Sequence, residues 1–351
     1  MIPLGPWWLV LSCAVVSAQV PPSTMKAGAL SRRPWDERVH FEDLKELVVA
    51  VPKPSHGEVL IEVAGSSVNP VDWKLIESPL SLIWHYPHVF GRDCAGRVVA
   101  LGEGVSRLKL GDRVWADSSK EGCFAQYAVL EESTVGLAPG TVPLQEAAVL
   151  PLVSLTGLEA FTFAQAPWSP RNKTVLVLGG SGGTGHTGIQ LAKAMGAGRV
   201  ISTCGTSHLD FCASMGADEV IDYHKADWHA VLAPQSVDVV YDTVALKGTG
   251  DRAYDVLRDG GFFVTLLEQG LASVGAVLRR PSLSQKFFLM ASANFSRLDT
   301  LKAIVDKGGL RGHVSRTFTF AQVAQAFNVS IAGHTTGKIS VVPTAGPSLL
   351  F

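Results

Sequence analysis

The amino-acid sequence predicts an α/β fold in which a β-rich domain is followed by a doubly wound parallel sheet. Short apolar stretches separated by glycines run from Met25 to about Ala148, a pattern typical of β-strands joined by tight turns. From Leu150 onward strand-like and helix-like segments alternate, which predicts parallel strands covered by helices. The third observation is a glycine cluster directly after a short apolar run. The 351 residues suffice for two domains.

The predicted strands follow from short runs of apolar and β-branched residues, taken in chain order. The first part carries strands at 59–63, 96–100, 113–115 and 125–129, and Met25 begins an earlier one. The second part carries strands at 174–178, 199–204, 219–222, 238–242 and 261–266, and a last strand covers 339–342. Helices are expected at 186–195, around 298–305 before the stop signal Gly308, and at 320–331.

The glycine cluster lies between the strand at 174–178 and the helix at 186–195. Gly180, Gly182 and Gly185 fit the pattern G-x-G-x-x-G. Glycines at these places permit a tight turn, let backbone N–H groups approach a pyrophosphate, and seat the helix close to the strand. The context favours a Rossmann dinucleotide site, and an ordinary glycine-rich turn is the alternative.

Composition limits the classes of partner and of metal chemistry. Charged residues are 17% of the chain and the formal net charge is −1, so no basic surface for nucleic acid is expected. The five cysteines include no C-x-x-C pair; they are Cys13, Cys94, Cys123, Cys204 and Cys212. This pattern argues against a zinc knuckle, a redox dithiol and a disulfide framework.

The first 24 residues form an apolar leader that is compatible with several destinations. Residues 2–20 carry no charge and contain Val16-Ser-Ala18, which resembles the cleavage site of a secretory signal peptide. The positive segment of such a peptide is missing, and at about 19 residues the stretch is also just long enough to span a bilayer as an uncleaved anchor. No arginine precedes Arg32, so the residues themselves do not indicate a mitochondrial presequence, and initiation at Met25 would leave a cytoplasmic protein.

Seven motifs in a fixed order give the chain a resemblance to a known family. They are Ser67-Val-Asn-Pro-Val-Asp-Trp-Lys74, Gly91-Arg-Asp-Cys-Ala-Gly96, Gly111-Asp-Arg-Val-Trp115, Leu150-Pro-Leu-Val-Ser-Leu-Thr-Gly157, Gly180-Ser-Gly-Gly-Thr-Gly185, Gly216-Ala-Asp-Glu-Val-Ile-Asp-Tyr223 and Gly333-His-Thr-Thr-Gly-Lys338. Across nearly all of 25–343 the chain resembles the zinc-free quinone oxidoreductase branch of the medium-chain dehydrogenase/reductases. Within that branch it is similar to the reticulon-interacting mitochondrial NADPH oxidoreductases and to the chloroplast-envelope quinone oxidoreductase homologues.

The resemblance implies a domain organisation and an activity. It implies a GroES-like catalytic domain at 25–148, a Rossmann dinucleotide-binding domain at 149–304, and a return segment at 305–351 that completes the first domain. It also implies an NADPH-dependent enzyme that transfers hydride directly, without zinc, to a quinone or an α,β-unsaturated carbonyl. A mitochondrial location is implied as well, beside the secretory and cytoplasmic alternatives.

Metal ligands are not expected at the positions where zinc-dependent members of the superfamily carry them. Asn69 stands in the region of the first ligand, and Gly91-Arg92-Asp93 replaces the Gly-His-Glu that supplies the second. Without thiolate or imidazole ligands at suitable spacing, a zinc ion lacks the groups that would hold it. Alcohol oxidation through a zinc alkoxide is therefore not expected.

The choice between NADPH and NADH depends on the residues that follow the strand at 199–204. An NAD site places Asp or Glu there, roughly 20 residues after the glycine loop, to bind the ribose 2′-OH. This chain has Gly205-Thr-Ser207 instead, so NADPH is favoured. No arginine clamp is present at the strand end, and NADH stays an alternative.

The resemblance assigns the other cofactor contacts, position by position. The residues expected to cradle the pyrophosphate are Ser181, Gly182, Gly183 and Thr184. Those expected around the adenosine phosphate are Gly205, Ser207 and Tyr223. Further contacts are Thr156 on the nicotinamide side, Leu266 at the end of a strand, and His334 and Thr335 in the return loop. Thr156 has helix capping as its alternative role, His334 and Thr335 an ordinary surface loop, and Lys338 is either a cofactor-side residue or a solvated lysine.

Three side chains are the candidates for the chemistry: Asn69, Asp72 and Lys74. Negative charge grows on the acceptor oxygen as hydride arrives, and a hydrogen-bond donor aimed at it in a dry cleft contributes about 3–4 kcal/mol. By resemblance, Lys74 occupies the position of an active-site tyrosine in zeta-crystallin-type quinone reductases, and it could donate to that oxygen or return a proton. The alternative for Asn69 and Asp72 is structural, because Asn69-Pro-Val-Asp72 is typical of a helix start. Orientation of the reactants, with water as proton donor, would then supply most of the rate.

Two further functions compete with quinone or enone reduction. One is enoyl reduction in a lipid or polyketide pathway. The other, of a different class, is an NADPH-binding interaction or structural protein with little turnover. The expected partners are a small-molecule quinone or enone substrate and a second copy of the chain in a homodimer.

Overall fold

A computed structural model describes residues 20–32, 43–76, 83–288 and 293–344. These residues contain sixteen β-strands and ten α-helices, joined by tight turns and short 3₁₀ turns. The strands are β1 (Thr24–Leu30), β2 (Leu44–Ala50), β3 (Glu58–Val68), β4 (His88–Val89), β5 (Asp93–Leu101), β6 (Arg113–Asp117), β7 (Tyr127–Glu131), β8 (Val135–Leu137), β9 (Thr174–Leu178), β10 (Arg199–Cys204), β11 (Glu219–Asp222), β12 (Val237–Asp242), β13 (Leu257–Thr265), β14 (Ser284–Phe287), β15 (Val314–Thr319) and β16 (Lys338–Val342). The helices are α1 (Pro70–Lys74), α2 (Leu144–Ala147), α3 (Pro151–Phe163), α4 (Gly183–Ala194), α5 (Leu209–Ser214), α6 (Trp228–Val231), α7 (Thr249–Val256), α8 (Val274–Arg279), α9 (Phe295–Asp306) and α10 (Val323–Ala332).

The amino-terminal part forms two mainly antiparallel sheets around an apolar core. A three-stranded sheet has the order β2-β1-β4, and a seven-stranded sheet has the order β15-β16-β3-β5-β6-β8, with β7 paired to β3. Val59, Ile61 and Val63 of β3 are buried together, as the two-residue period of a strand requires. A Cβ on Gly96 of β5 would lie 2.0 Å from the Glu62 carbonyl oxygen, so the close approach of β5 to β3 requires glycine.

The second part is a parallel sheet of six strands in the order β11-β10-β9-β12-β13-β14. All five residues of β9 are buried, which explains why this segment is almost continuously apolar rather than alternating. The chain order of the strands reverses between β9 and β12, and ligands of such sheets bind beside that point at the carboxyl edge. The glycine cluster leaves β9 at this edge.

The end of the described chain returns to the first domain. β15 and β16 run parallel, and β16 pairs antiparallel with β3, with Ile339 opposite Val68. α10 packs Phe327 against Phe90 and Phe124, with ring centroids 6.0 Å apart in both pairs. This pairing brings the beginning of β16 to the carboxyl end of β3, although the two strands are far apart in sequence.

The sequence-predicted fold, a GroES-like β-rich domain with a Rossmann doubly wound parallel sheet, is confirmed. The structure also contains β2, β4, β8, β14 and β15, which the sequence analysis does not predict, and each of them lies at the end of its sheet. An edge strand pairs on one side only and buries fewer side chains, so its apolar pattern is weak. The helix after the glycine cluster begins at Gly183 rather than at His186, because its first turn is built from loop glycines that carry no apolar pattern.

Residues 1–19 of the predicted leader at 1–24 lie outside the described residues, and β1 begins at Thr24, one residue before the expected start at Met25. Within the part of the chain that the structure describes, no helix has both the length and the apolar character needed to cross a membrane. The division into 25–148, 149–304 and 305–351 stays a prediction.

Candidate active site

A cleft of about 690 Å³ lies where the glycine loop meets the first domain. The carboxyl ends of β9, β10 and β12 line it, together with the return loop at 333–338. Nine of the site residues predicted from the sequence line this cleft: Asn69, Ser181, Gly182, Gly183, Thr184, Tyr223, Leu266, His334 and Thr335. A concave site of this size beside the point where the strand order reverses can hold a cofactor and a small substrate.

The glycine loop is shaped by close contacts that only glycine permits. Gly179 has φ +77°, in the left-handed region, and the Gly180 N–H donates to the Thr203 carbonyl oxygen at 2.8 Å. A Cβ on Gly180 would lie 1.9 Å from Ser202 Oγ, and one on Gly185 would lie 2.1 Å from the Gly179 carbonyl oxygen. The loop therefore seats the first turn of α4 against β9 and leaves the N–H groups of that turn at the cleft, where a helix N-terminus can bind phosphate.

The return loop lies directly against the glycine loop. The Gly337 N–H donates to the Ser181 carbonyl oxygen at 2.8 Å. His334 has φ +60°, an uncommon conformation for a residue with a Cβ, and such strain concentrates at functional sites. Thr335 Oγ1 is buried and has no hydrogen-bond partner among the described residues, so a ligand atom in the cleft could satisfy it.

The cleft also has aromatic and basic side chains in its lining. Tyr223, Trp228, Lys247 and Arg252 line it. The Arg252 guanidinium lies over the Trp228 ring, 4.7 Å from the ring centroid. Aromatic side chains of this kind can bind a planar base, and the basic side chains can bind a phosphate.

Asp222 ends β11 beside this region, and its carboxylate is already committed to the protein. Thr206 Oγ1 donates to one oxygen at 2.7 Å, and the His224 N–H donates to the other at 3.0 Å. The hydrogen bond from Thr206, with that from His224, holds the pKa of Asp222 below its usual value. The Asp222 carboxylate is therefore ionised, and both of its oxygens already accept hydrogen bonds from the chain itself.

Asn69 and Lys338 form a buried polar pair at the first-domain side of the cleft. The Lys338 ammonium donates to Asn69 Oδ1 at 2.5 Å and to the Val68 carbonyl oxygen at 3.0 Å. Asn69 Nδ2 donates to Asp93 Oδ2 at 2.8 Å, and that oxygen lies 3.6 Å from the ammonium nitrogen. Lys338 is 3% exposed, so the alternative of a solvated lysine is wrong.

A second buried ion pair lies next to this group. Arg92 Nε donates to Asp117 Oδ1 at 2.8 Å and Arg92 Nη2 donates to Oδ2 at 3.1 Å. Burial raises the pKa of Asp117 to about 6, and the charge of Arg92 opposes this shift. Arg92 and Asn69 stand where the resemblance places the zinc ligands of other members. No group of three or more His, Cys, Asp or Glu side chains in the described ranges has an arrangement suited to a metal ion.

Asp72 and Lys74 lie outside the lining of the cleft. Asp72 is buried in α1, and its Oδ2 accepts a hydrogen bond from the Asn69 N–H at 2.7 Å, as the helix-start alternative predicts. Burial raises the pKa of Asp72 well above its usual value, which favours the protonated carboxyl group. Lys74 is exposed, with its ammonium 5.5 Å from the centroid of the Trp73 ring. Their roles in the chemistry stay predictions.

Three predicted cofactor residues also lie outside the lining. Thr156 Oγ1 donates to the Leu152 carbonyl oxygen at 2.8 Å, within α3. Ser207 is exposed in a short 3₁₀ turn, and Gly205 is buried where a Cβ would lie 3.2 Å from Tyr223 Oη. Their contacts with a cofactor stay predictions as well.

Several residues that line the cleft are not singled out by the sequence analysis: Val153, Asp242, Thr243, Lys247 and Arg252. Asp242 ends β12, and its Oδ1 accepts hydrogen bonds from the N–H groups of Val244 and Ala245 at 3.0 and 2.9 Å. An acidic residue at the carboxyl end of a predicted parallel strand is the signal that could have found it. No local pattern shows that Lys247 and Arg252 approach the cleft, since both follow the strand by several residues.

His186, in the first turns of α4, should make the folded protein sensitive to acid. The side chain is fully buried, and its Nε2 has no partner among the described residues. Burial lowers the pKa to about 4 from 6.5, so stability that is complete above pH 6.5 is lost as the pH falls through 4. At about 1.4 kcal/mol per pKa unit, this group should remove about 3 kcal/mol of unfolding free energy between pH 7 and pH 4.

Urea denaturation at several pH values checks this expectation. The variant His186→Asn should lose that part of the pH dependence, whereas His229→Asn, which changes a partly exposed histidine of α6, should keep it. Parallel pH profiles for the wild type and His186→Asn would contradict the assignment.

Comparison with protein families matches two parts of the chain. Residues 55–146 match the family described as alcohol dehydrogenase GroES-like domain. Residues 215–341 match the family described as zinc-binding dehydrogenase. The first match lies in the β-rich domain, and the second extends from the Rossmann sheet into β16.

Curated relatives are similar over most of the chain. The chloroplastic quinone-oxidoreductase homolog of Spinacia oleracea is 31% identical, over 86% of this chain and 94% of its own length. The chloroplastic NADPH-dependent alkenal/one oxidoreductase of Arabidopsis thaliana is 34% identical, over 84% of this chain and 74% of its own. The mitochondrial NAD(P)H oxidoreductase RTN4IP1 of Danio rerio is 30% identical, over 81% of this chain and 83% of its own.

A solved structure shares both the fold and part of the sequence. The quinone oxidoreductase from Coxiella burnetii is 27% identical and superposes with a TM-score of 0.79. The match covers 92% of this chain and 100% of that one. The likeness therefore includes the β-rich domain, the parallel sheet and the return segment that joins them.

Proposed function

We infer the function from one premise: this chain belongs to the quinone oxidoreductase branch of the medium-chain dehydrogenase/reductases. It is an oxidoreductase that uses a nicotinamide cofactor, and it transfers hydride to a quinone or an α,β-unsaturated carbonyl. The observation that carries this function is a single cleft in which the glycine loop of the parallel sheet faces Asn69 and Lys338 of the β-rich domain.

The residues of the chain bind and orient the reactants. The N–H groups of Gly183 and Thr184, at the start of α4, suit a pyrophosphate, and the contact between Gly337 and Ser181 holds the return loop beside it. A bound dihydronicotinamide supplies the hydride. Asn69 and Lys338 on the first-domain side are 0% and 3% exposed, and low exposure strengthens the electrostatic interactions that they make. Proximity and orientation of the two reactants then supply a large part of the rate.

Turnover of purified protein is the direct test of this function. NADPH absorbance should fall when a simple naphthoquinone or a short alkyl vinyl ketone is added, with one substrate molecule reduced per NADPH. An enoyl thioester tests the enoyl reductase alternative with the same readout. Protein that binds NADPH but reduces none of these compounds would contradict the proposal and favour the structural alternative.

NADPH is the proposed cofactor, with NADH as the alternative. Three features support it: no acid follows β10 at Gly205-Thr-Ser207, Asp222 is engaged by the chain, and the lining of the cleft includes the basic residues Lys247 and Arg252, of which Arg252 is paired with Asp227. The printed name of the relative from Arabidopsis thaliana includes NADPH. Basic side chains in the lining favour a cofactor with a 2′-phosphate over one without it.

The variant Lys247→Ala should separate the two cofactors. Loss of one phosphate contact of about 1.4 kcal/mol raises the KM for NADPH about tenfold, while the KM for NADH stays within about twofold. Steady-state kinetics with both cofactors measure this. Lys193→Ala, which removes a surface pair with Asp218, is the matched control and should change neither value. Equal effects on NADPH and NADH would refute the role of Lys247.

We keep the roles of Asn69, Asp72 and Lys74 as proposals. Lys74 ends α1, whose first residue Pro70 lines the cleft, so it is proposed as a proton donor that works from the cleft margin. Unchanged turnover in Lys74→Ala would remove it from that role. Asp72 accepts a hydrogen bond from the Asn69 backbone N–H, so its proposed role is the structural one of holding Asn69 in place.

Assembly and location are proposed on separate grounds. Among the described strands β14 pairs with β13 alone, and Phe287 is 36% exposed, so this edge offers backbone groups and apolar surface to a second copy in a homodimer. Relatives with chloroplastic and mitochondrial names support an organelle location. The leader at 1–24 is the proposed targeting or membrane-associating segment, and the mass of the mature amino terminus tests it.

A further inference from the structure

We propose that Lys338 is a positioning residue that couples the glycine loop to Asn69, and that efficient hydride transfer depends on its buried ammonium group. The inference rests on the proposed function, because it concerns the same cleft. It gives Lys338 a positioning role toward Asn69 that neither the motifs nor the family descriptions assign. Four observations carry it: the strand register, the contacts of the side chain, the burial of its charge and the immobilisation of Asn69.

The strand register brings Lys338 beside Asn69. Ile339 lies opposite Val68 in the antiparallel pair of β16 and β3, so the residue before Ile339 meets the residue after Val68. The two residues are 269 positions apart in sequence. The chain therefore returns to the first domain at the place where the glycine loop and that domain meet.

The side chain of Lys338 touches both halves of the cleft. A Cβ on Gly183 would lie 2.9 Å from Lys338 Cδ, so the aliphatic stem packs on the first turn of α4. The ammonium at the other end of the same side chain donates to Asn69 Oδ1 and to the Val68 carbonyl oxygen. The neighbouring Gly337 N–H also bonds to Ser181 of the glycine loop. One residue therefore sets the distance between the glycine loop and Asn69.

The charge of Lys338 is expensive to bury, which argues against a purely stabilising role. Burial lowers the pKa of Lys338, and Asp93, 3.6 Å away, opposes that shift. Replacing a buried ion pair with apolar groups of similar volume is often neutral or stabilising. A pair of this kind at the edge of a cofactor cleft is therefore better explained by the geometry that it imposes.

Asn69 has little freedom while Lys338 is present. Its Oδ1 accepts from Lys338, its Nδ2 donates to Asp93 Oδ2, and its backbone N–H donates to Asp72 Oδ2. Without the ammonium, the amide group loses the donor that fixes its orientation, and Asp93 becomes a buried carboxylate without its neighbouring cation. The side of the cleft that faces the reactants would then move relative to the glycine loop, and a displacement of about 1 Å can cost about 100-fold in rate.

The variant Lys338→Met tests the proposal, since methionine keeps an unbranched stem and removes the charge. We expect kcat to fall about 100-fold while the dissociation constant for NADPH, measured by fluorescence, changes by less than about threefold. The isotope effect on kcat with NADPH deuterated at the transferred position should increase, because misplaced reactants make hydride transfer rate-limiting. Lys302→Met, which removes an ion pair with Asp306 on α9, is the matched control and should leave all three values unchanged.

A second variant covers the case in which Lys338→Met does not fold. Lys338→Met with Asp93→Asn removes both charges, so it should regain folding but not turnover. The proposal is overturned if the variant that folds keeps wild-type kcat and isotope effect, if its whole defect is weaker NADPH binding, or if neither variant folds. A wild-type protein that reduces no quinone or enone would instead refute the proposed function on which the inference rests.

Discussion

Replacement of Gly185 by alanine is expected to abolish detectable cofactor binding and to lower the free energy of unfolding by about 1–3 kcal/mol. A Cβ at this position would lie 2.1 Å from the Gly179 carbonyl oxygen and 2.8 Å from Gly180 Cα. Both are backbone atoms, so no side chain can rotate away, and the first turn of α4 must move from β9. The N–H groups that would bind pyrophosphate move with it. Urea denaturation and titration of NADPH fluorescence measure the two effects.

Gly182→Ala is the control for that variant, because it changes a glycine of the same loop without the clash. Gly182 has φ −77°, and a Cβ there would meet the Gly179 carbonyl oxygen at 3.5 Å, an ordinary contact. We expect it to keep wild-type stability while its methyl group, in the lining of the cleft, weakens cofactor binding. Wild-type affinity for NADPH in Gly185→Ala would show that the glycine loop does not hold the cofactor.

Replacement of Arg92 by methionine should have the largest effect on stability, a loss of about 3–5 kcal/mol in the free energy of unfolding. Arg92 and Asp117 are 2% and 0% exposed, and they form two hydrogen bonds with each other. Methionine leaves the Asp117 carboxylate buried without its charged partner. Adding Asp117→Asn removes the unpaired charge, so the double variant should recover a large part of the loss.

The pH dependence of this loss gives an independent check. Asp117 has a pKa of about 6 in the folded protein, above its usual 3.8, so its contribution to stability is present at low pH and is lost as the pH rises through 6. Removal of Arg92 raises this pKa further, and the cost of Arg92→Met should therefore be larger at pH 8 than at pH 5. Arg97→Met, which changes an exposed arginine of β5, is the control. A cost that is the same at both pH values would contradict the assignment.

The parallel sheet could be predicted in detail because its signals are local. β9 is buried on both faces, and the sequence predicts β10, β11 and β12 within a residue of where they lie, since each is a short apolar run bounded by turns. The glycine pattern is local as well, because its glycines are what allow α4 to pass close to β9. Five edge strands, β2, β4, β8, β14 and β15, carry no such pattern, whereas the edge strand β11 does.

The polar groups at the cleft were predicted less completely, for a different reason. Asn69 could be named from its motif, but the sequence does not show that its amide group is held between Lys338 and Asp93. Lys247 and Arg252 carry no pattern that places them in the same cleft as Tyr223. Each of these contacts joins segments that are distant along the chain, and composition, periodicity and spacing describe only nearby residues.

The sequence by itself determined the fold class, the succession of a β-rich part and a part in which strands and helices alternate, and the loop that suits a dinucleotide. Each of these depends on backbone geometry that residues within one turn or strand decide. Tertiary structure alone decided which charges are buried together. A lysine in a glycine-flanked segment near the end of the chain has the same local sequence whether it is solvated or enclosed. Only the pairing of β16 with β3 removes Lys338 from water and brings it to Asn69 and Asp93.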